Sequence, residues 1–291
     1  MKEAQLLYGK EIAEQVQGDL KNQLAQIKAE YNEQPKMVAL QIGAQAASEM
    51  YVKRQADTAN SLGIQHELIQ LDNQVTQEEA LNKIHELNQD PTVHAIIIQM
   101  PLPEHLNLNQ VLSAIDPHKD AEGVHTDNLG RLVLKKARIT PCTAMSALQL
   151  INSTGVDLYG KEAVVVGSSK VVGRPISLLL LEQMATVTVC HIGTSEKGDL
   201  ESHIRRAEVL VVAVGSPNLI PGDWIREDAI VIDIGINRVD GKTVGDIEFE
   251  KAKEKAAYIT PVPGGVGPLT VTMLMKNVVE AYLWQKGNTE E

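Results

Sequence analysis

Aromatic residues are scarce: they make up 3% of 291 residues, and phenylalanine occurs once. A core of stacked rings is excluded, so packing must come from Val, Ile, Leu and Ala. Cysteine occurs only as Cys142 and Cys190, in no metal-ligand spacing. Neither a disulfide framework nor a cysteine-based metal centre is on offer. The eight histidines form no H-E-x-x-H pattern and no paired spacing with cysteine, so no metal site is expected. Basic residues are in deficit, 27 Lys and Arg against 38 Asp and Glu for a net charge of −11. That balance argues against an extended nucleic-acid surface but leaves room for a small basic pocket. No apolar run approaches the ~18 residues of a membrane span. The opening MKEAQLLYGKEIAEQ turns polar early, so no signal peptide is expected and a reduced, cytoplasmic protein is the expectation.

What is present is an alternation of short β-branched runs and helical stretches. Ile12, Val16, Leu20, Leu24 and Ile27 recur at helical spacing. MVALQIG (37–43) reads as a buried strand, followed by a helix from about Ala46 to Leu62 that Gly63 stops. IQHELIQL (64–71), a helix over 76–88 and HAIIIQM (94–100) continue the pattern. This order predicts a mostly parallel sheet with helices on both faces. EAVVVGSS (162–169), a helix over 172–184, TVTVCH (186–191), EVLVVAVG (208–215) and AIVIDIG (229–235) form a second series. That series predicts a Rossmann-like, doubly wound dinucleotide-binding domain. A last helix is expected over 269–286, and GNTEE (287–291) as a frayed tail. The fold class is therefore α/β. A three-layer catalytic domain is expected over 1–145 and the Rossmann-like domain over 146–268. The C-terminal helix, within 269–291, is expected to pack back on the first domain.

Several motifs can carry chemistry. In VVVGSSKVVGRP (164–175) a buried strand delivers Gly167 into a tight turn before a helix, which aims free N–H groups at a phosphate. The spacing Gly167 to Gly173 is not G-x-G-x-x-G, and an ordinary βα turn is the competing reading. The next strand ends in Cys190-His191 with no Asp or Glu to hold the ribose hydroxyls, which leans toward NADP over NAD. Arg174 and Lys197 can meet a 2′-phosphate, or be solvated surface charge. TPVPGGVGPLT (260–270) packs three prolines and three glycines into eight residues. It predicts a stiff loop with positive φ at several places, suited to a flat ligand or to a purely structural connection. Gln99 sits just beyond a parallel strand, where α/β sites are found. Asp120, Glu122 and His125 lie in DPHKDAEGVHTDNLGRL, read as a loop from its Gly and Asn content.

Taken together these segments resemble the methylenetetrahydrofolate dehydrogenase/methenyltetrahydrofolate cyclohydrolase family. GKEIA, YV within a helix, QMPLP, KDAEGVHTDNLGRL, PCT, GKEAVVVGSSKVVGRP, TVTVCH, VIDIGIN and TPVPGGVGPLT follow that family's order over nearly the whole chain. The resemblance implies hydride transfer from 5,10-methylenetetrahydrofolate to NADP, then hydrolysis of the methenyl cation to 10-formyltetrahydrofolate. It also implies a homodimer and a cleft between the two domains, with one-carbon tetrahydrofolates as the partners. Catalytic positions fall on Tyr51, Gln55, Gln99 and Glu122. Substrate contacts fall on Ser48, Tyr51, Pro101, Leu102, Glu122, Pro263, Gly264 and Gly265. Cofactor contacts fall on Thr143, Gly167, Ser168, Ser169, Val172, Gly173, Arg174, Pro175, His191, Ile192, Gly215 and Ile236.

This chain departs from the family at telling places. The family's Ser-x-x-Tyr-Val-x-x-Lys reads here Ser48 to Gln55, so glutamine replaces the cyclohydrolase lysine. Lys53 should point away from Tyr51, whereas Arg54 can share its face but cannot deprotonate near neutral pH. The family's entrance motif is here GAQAAS (43–48). Its KDVDG is here KDAEG, with Glu122 replacing the pterin-holding aspartate. PCTP-x-G is here PCTAMS, and the serine after Cys190-His191 is Ile192. Hydride transfer needs positioning and field, not a lysine. Cyclohydrolase chemistry needs proton handling that an amide cannot supply. The expectation is therefore a dehydrogenase whose cyclohydrolase step is weakened or lost. A full bifunctional enzyme, with Arg54, His125 or a shifted register covering the gap, stays open, as does a binding paralogue without turnover.

Overall fold

Apolar runs too short for a helix and apolar at every position suit strands buried on both faces, and such strands hold the centre of each sheet here. The structure, a computed structural model, describes residues 3–43 and 46–287, and of residues 46–48 the backbone alone. The expected tail beyond Gly287, Ala44 and Gln45 of the entrance motif, and the Ser48 side chain lie outside the described residues. In chain order the elements are β1 (Gln5–Leu6), α1 (Gly9–Tyr31), β2 (Lys36–Ile42), α2 (Ala46–Leu62), β3 (Gln65–Leu71), α3 (Gln77–Gln89), β4 (Ala95–Ile98), α4 (Leu108–Ser113), α5 (Thr126–Val133) and α6 (Cys142–Asn152). Then follow β5 (Glu162–Val166), α7 (Gly173–Glu182), β6 (Thr186–Cys190), α8 (Ile192–Glu196), α9 (Leu200–Ile204), β7 (Val209–Val212), β8 (Ile230–Asp233), β9 (Asn237–Val239), β10 (Lys242–Val244), α10 (Phe249–Lys255), β11 (Tyr258–Ile259) and α11 (Val266–Gln285).

The chain divides into two compact units, residues 15–142 with 271–291, and residues 1–14 with 143–270. The first contains a three-stranded parallel sheet in the order β3-β2-β4. β2 is central and buried along nearly its whole length, whereas the edge strand β3 alternates between exposed and half-buried. Val38, Leu40, Ile84, Leu87, Ile96, Ile98 and Val111 make one continuous core there. α3 starts at a capping box: Thr76 accepts from the Glu79 N–H at 3.2 Å, and the Thr76 N–H donates to the Glu79 carboxylate at 2.8 Å. The distal part of α11 belongs to this unit, as the sequence predicts for the C-terminal helix.

The second unit contains a six-stranded sheet ordered β1-β11-β8-β7-β5-β6, parallel throughout. β5, β7 and β8 are its buried centre, and the core is mainly Val, Ile, Leu and Ala, with Cys190 in it and Trp224 and Phe249 packed at its margin. Residues 3–14 cluster here, whereas the sequence reading assigns them to the first domain. The two-residue strands β1 and β11 account for this, because Gln5 and Leu6 pair with Tyr258 and Ile259. Strands that short carry no periodicity to read. The β9–β10 hairpin also escapes the sequence reading, although its Asp240-Gly241 turn, positive in φ at both residues, is a standard hairpin signal.

Candidate active site

The folate-type positions gather at the carboxyl ends of β2 and β4. Gln99 directly follows β4, and its N–H donates to Leu40 O of the neighbouring strand at 2.9 Å. Tyr51 and Gln55 lie one turn apart on α2, which runs unbroken through both. Gln55 is fully buried, at 0% exposure, while Lys53 and Arg54 are exposed. No register shift brings a cation into the Gln55 position. Gln99 Nε2 donates to Gln55 Oε1 at 2.9 Å. This leaves Gln55 Nε2 buried with no hydrogen-bond partner, an expensive state for a donor unless something else meets it. The Tyr51 hydroxyl is pushed above the usual phenol range by burial first, then by Cys142 and Glu122, with the Gln55 amide as polar neighbour. Leu102 packs against the sheet core, and Pro101, after a cis Met100–Pro101 bond, is exposed.

Glu122 is placed by its own motif. Ile96 donates its N–H to Lys119 O at 2.6 Å, and Ala121 donates to Ile96 O at 3.1 Å, so the KDAEG segment runs along the edge of β4. Lys119, buried, donates to Leu87 O, Asn88 O and Asp90 O at 3.2, 2.8 and 2.8 Å, closing the end of α3. Asp120 accepts from the N–H groups of Gly123 and His125 at 3.0 and 2.8 Å and from Asn128 Nδ2 at 3.0 Å. These bonds offset part of the cost of burying its carboxylate. Beside it, burial and then the Asp120 charge push Glu122 up to about 7. From α11, Asn277 Nδ2 donates to Ala121 O and Thr140 O at 2.9 Å each and reaches Cys142 Sγ at 3.3 Å. The Lys119, Cys142, Asn128 and Asn277 supports were not read from sequence. Their one signal is Asn277, a buried amide inside a mainly apolar helix.

One expectation fails here. The segment read as a loop contains α5, capped by His125, whose Nδ1 accepts from the Asp127 N–H at 3.1 Å while Nε2 lies 3.4 Å from Ser113 O. Both ring nitrogens are engaged by backbone. A histidine in the N-cap role gave no sequence signal, because that position usually goes to Ser, Thr, Asp or Asn.

The cofactor-type positions gather in the other unit. Gly167 has φ +115°, and a Cβ there would strike Ala213 O. A Cβ on Gly173 would strike Gly167 O. The turn therefore folds back on itself with no room for side chains at either glycine, the close approach that a phosphate turn needs. Ser169 Oγ accepts from the N–H groups of Val172 and Gly173 at 3.2 and 3.4 Å. Pro175 is buried in the first turn of α7. Arg174 is exposed, and its Nε donates to Ser168 O at 3.1 Å, which holds the guanidinium over the turn. His191 and Ile192, just past β6, are exposed, as are Gly215 and Ile236, just past β7 and β8. Thr143, half-buried, opens this unit within α6. The residues thus fit a dinucleotide: a crowded glycine turn, a helix start, a guanidinium, and no acid after β6.

Pro263, Gly264 and Gly265 also belong to this unit. Only Gly264 takes a positive φ, +116°, so the expected run of positive φ values is wrong. Gly265 is required for space instead: a Cβ would lie 2.7 Å from Thr260 Cβ and 2.9 Å from Pro261 O. Gly9 donates its N–H to Gly264 O at 3.0 Å, tying the loop to the start of α1. Among the described residues no group of His, Cys, Asp or Glu could hold a metal ion.

Comparison with known proteins identifies two family domains in this chain. Residues 7–122 match the tetrahydrofolate dehydrogenase/cyclohydrolase catalytic domain, and residues 141–286 its NAD(P)-binding domain. Bifunctional protein FolD 2 of Geobacter sulfurreducens is 46% identical over 279 residues, 96% of each chain. The crystal structure of bifunctional FolD from Campylobacter jejuni superposes with a TM-score of 0.92 at 39% identity, covering 97% of this chain and 99% of that one. The Trypanosoma brucei methylenetetrahydrofolate dehydrogenase-cyclohydrolase, complexed with NADP and an inhibitor, superposes with a TM-score of 0.92 at 35% identity, covering 99% and 100%.

Proposed function

The chain belongs to the tetrahydrofolate dehydrogenase/cyclohydrolase family, and we propose that it oxidises 5,10-methylenetetrahydrofolate to the methenyl cation with NADP while its cyclohydrolase step is weakened or lost. The observation that carries this reading is the state of Gln55, wholly buried and hydrogen-bonded to Gln99, at the position where the resemblance puts the family's lysine. NADP, when bound, accepts the hydride; Gly167, Ser169, Gly173 and Arg174 would hold it. The chain's own work is to bind, orient and exclude water. Tyr51 offers a ring face to the aminobenzoyl group, Glu122 an acceptor to the pterin, and the Gln55–Gln99 pair a neutral wall at the one-carbon bridge. A neutral wall does not repel the forming cation, so oxidation is not impeded. Hydrolysis is different: water adds to the amidinium carbon, and a ring nitrogen must then take a proton before the C–N bond opens. The amide of Gln55 can orient that water but cannot relay the proton.

The bifunctional reading keeps one observation in its favour, which is Glu122. A carboxyl pushed up to about 7 can give and take a proton near neutrality. Of the other candidates for this duty, His125 is occupied by backbone and Arg54 is exposed, whereas Gln55 is buried. The deciding assay follows methenyltetrahydrofolate after oxidation of the methylene form with NADP. Accumulation supports the proposed reading, and consumption faster than its spontaneous hydrolysis overturns it. Loss of that consumption in Glu122→Gln would assign the proton to Glu122. Absence of any oxidation would favour a binding paralogue. The resemblance also supports a homodimer, which sedimentation of the purified protein tests.

A further inference from the structure

The two loops after β7 and β8 are held by buried acids that no part of the chemistry above uses. Asp246 is fully buried. Its Oδ2 accepts from the N–H groups of Val214 and Gly215 at 2.7 and 2.9 Å, and its Oδ1 from Ser216 N–H and Asn237 Nδ2 at 2.9 Å each. Three successive N–H groups converging on one point form the kind of concavity that ordinarily takes an anion. Here the chain fills it with its own carboxylate. Asp233 forms a layer behind: it accepts from Gly235 N–H and Asp246 N–H at 2.9 and 3.0 Å and from Ile247 N–H at 2.9 Å. Gly235 and Gly245 leave room for this stack, since a Cβ on either would strike the Asp246 or Asp233 carboxylate.

We propose that Asp246 is a positioning residue for the cofactor, fixing in one carboxylate the 214–216 turn and the 235–237 segment. This rests on the reading that Gly215 and Ile236 touch the cofactor. Both segments lie at carboxyl ends of parallel strands, where dinucleotides bind. With the N–H groups of the turn consumed inward, the turn offers no anion site, so the cofactor phosphates belong at the Gly167–Gly173 turn. What remains outward is a flat glycine between Val214, 44% exposed, and Ile236, 69% exposed. That surface suits a planar, weakly polar ring, and the ring end of a nicotinamide cofactor is the matching chemistry.

The test is NADPH binding to the full-length protein, read by nucleotide fluorescence, beside steady-state kinetics. Asp246→Asn places an NH2 group against backbone donors. It should raise the NADPH Kd about ten-fold or more, a loss of roughly 1.4 kcal/mol, with the KM for folate moved less than about two-fold. Amide exchange at 214–216 should quicken. If that variant does not fold, Asn237→Ala keeps the carboxylate and all three backbone bonds and should still raise the NADPH Kd about three-fold. Ile236→Asp tests the underlying reading. Weakened binding in Ile236→Asp with unchanged binding in folded Asp246→Asn, or in Asn237→Ala, overturns the inference and spares that reading. Unchanged binding in all three removes both, and an Asp246→Asn effect that raises the folate KM equally reduces Asp246 to a structural acid.

Discussion

Two buried polar centres in this molecule are satisfied to opposite degrees. Asp246, in the dinucleotide unit, has four donors on its carboxylate. Gln55, in the folate-type unit, has Gln99 on its amide oxygen, while its buried amide nitrogen completes no hydrogen bond and has only the Tyr51 hydroxyl as polar neighbour. A centre whose donors are all matched is finished by folding and holds shape. A centre left short is finished by something folding does not supply, which in an enzyme is the substrate.

The sharpest way to break that comparison is Gln55→Lys. If the unpaired amide marks a missing proton relay, a lysine there should raise methenyltetrahydrofolate hydrolysis by on the order of 10²-fold, with much less change in oxidation. Decay of added methenyltetrahydrofolate, corrected for its spontaneous rate, reads this directly. Fast hydrolysis by the unaltered protein, unmoved by the substitution, ends the lost-cyclohydrolase reading.

On the finished side, a small intrusion should be costly. Gly173→Ala drives a methyl into the Gly167 carbonyl, and the neighbouring backbone has no side chain to move aside. A loss of about 1–3 kcal/mol is expected from overpacking, seen as a lower urea midpoint, together with weaker NADPH binding. Gly265→Val belongs in the same class. The clash with Thr260 and Pro261 predicts lost stability. Unchanged midpoints in both would show these turns to be softer than their geometry implies.

How far each side was legible follows from the same contrast. The strands came through because β2, β4, β5, β7 and β8 are apolar at nearly every position, and the glycine turn because Gly167 and Gly173 flank a strand-to-helix change. Gln55 drew attention because the segment Ser48 to Gln55 resembles the family motif. The supports were not visible. Asn277 is far from Ala121 and Thr140 in sequence, and Asp246 lies 30 to 32 residues from the turn it holds. Local pattern carries no information about such pairs. α5 was missed because its cap is a histidine, and the 264–265 loop was misjudged because glycine serves both for positive φ and for lack of space.

Glu122 sharpens the unfinished side through pH. Its carboxyl titrates near 7 in the folded chain against 4.5 for an unperturbed glutamate. A folded value above the unfolded one means the native state holds the proton more tightly. Its stabilising contribution is therefore full below about 4.5, is lost as pH rises to about 7, and stays lost above. Glu122→Gln should flatten that part of the stability profile, measured as urea midpoints at pH 5 and pH 8. Binding runs the other way. A pterin N–H needs the ionised acceptor, so folate affinity should rise up to about ten-fold per pH unit below 7 and level off above. A flat binding profile from pH 6 to 8 would remove Glu122 from the pterin site.

The smallest effect is expected at Arg174, because this cation is exposed and its bond to Ser168 O already occupies one donor. A guanidinium in water gains little from a phosphate beyond about 1 kcal/mol, or roughly five-fold in affinity. The two residues directly past β6 add little to it: the Ile192 side chain offers no donor, and His191 Nδ1 is spent accepting the Gly193 N–H at 3.2 Å. NADP should thus be preferred over NAD, by a modest margin, since no acid directly past β6 competes with a 2′-phosphate and the cations that can meet it, Arg174 and Lys197, are exposed. Arg174→Ala should lower kcat/KM about five-fold with NADP and leave NAD almost unmoved, so that the two cofactors converge. Equal losses with both would mean that Arg174 acts through the Ser168 turn, on the finished side of the molecule. A wild-type protein equally good with NAD would show that the missing acid after β6 does not set the preference.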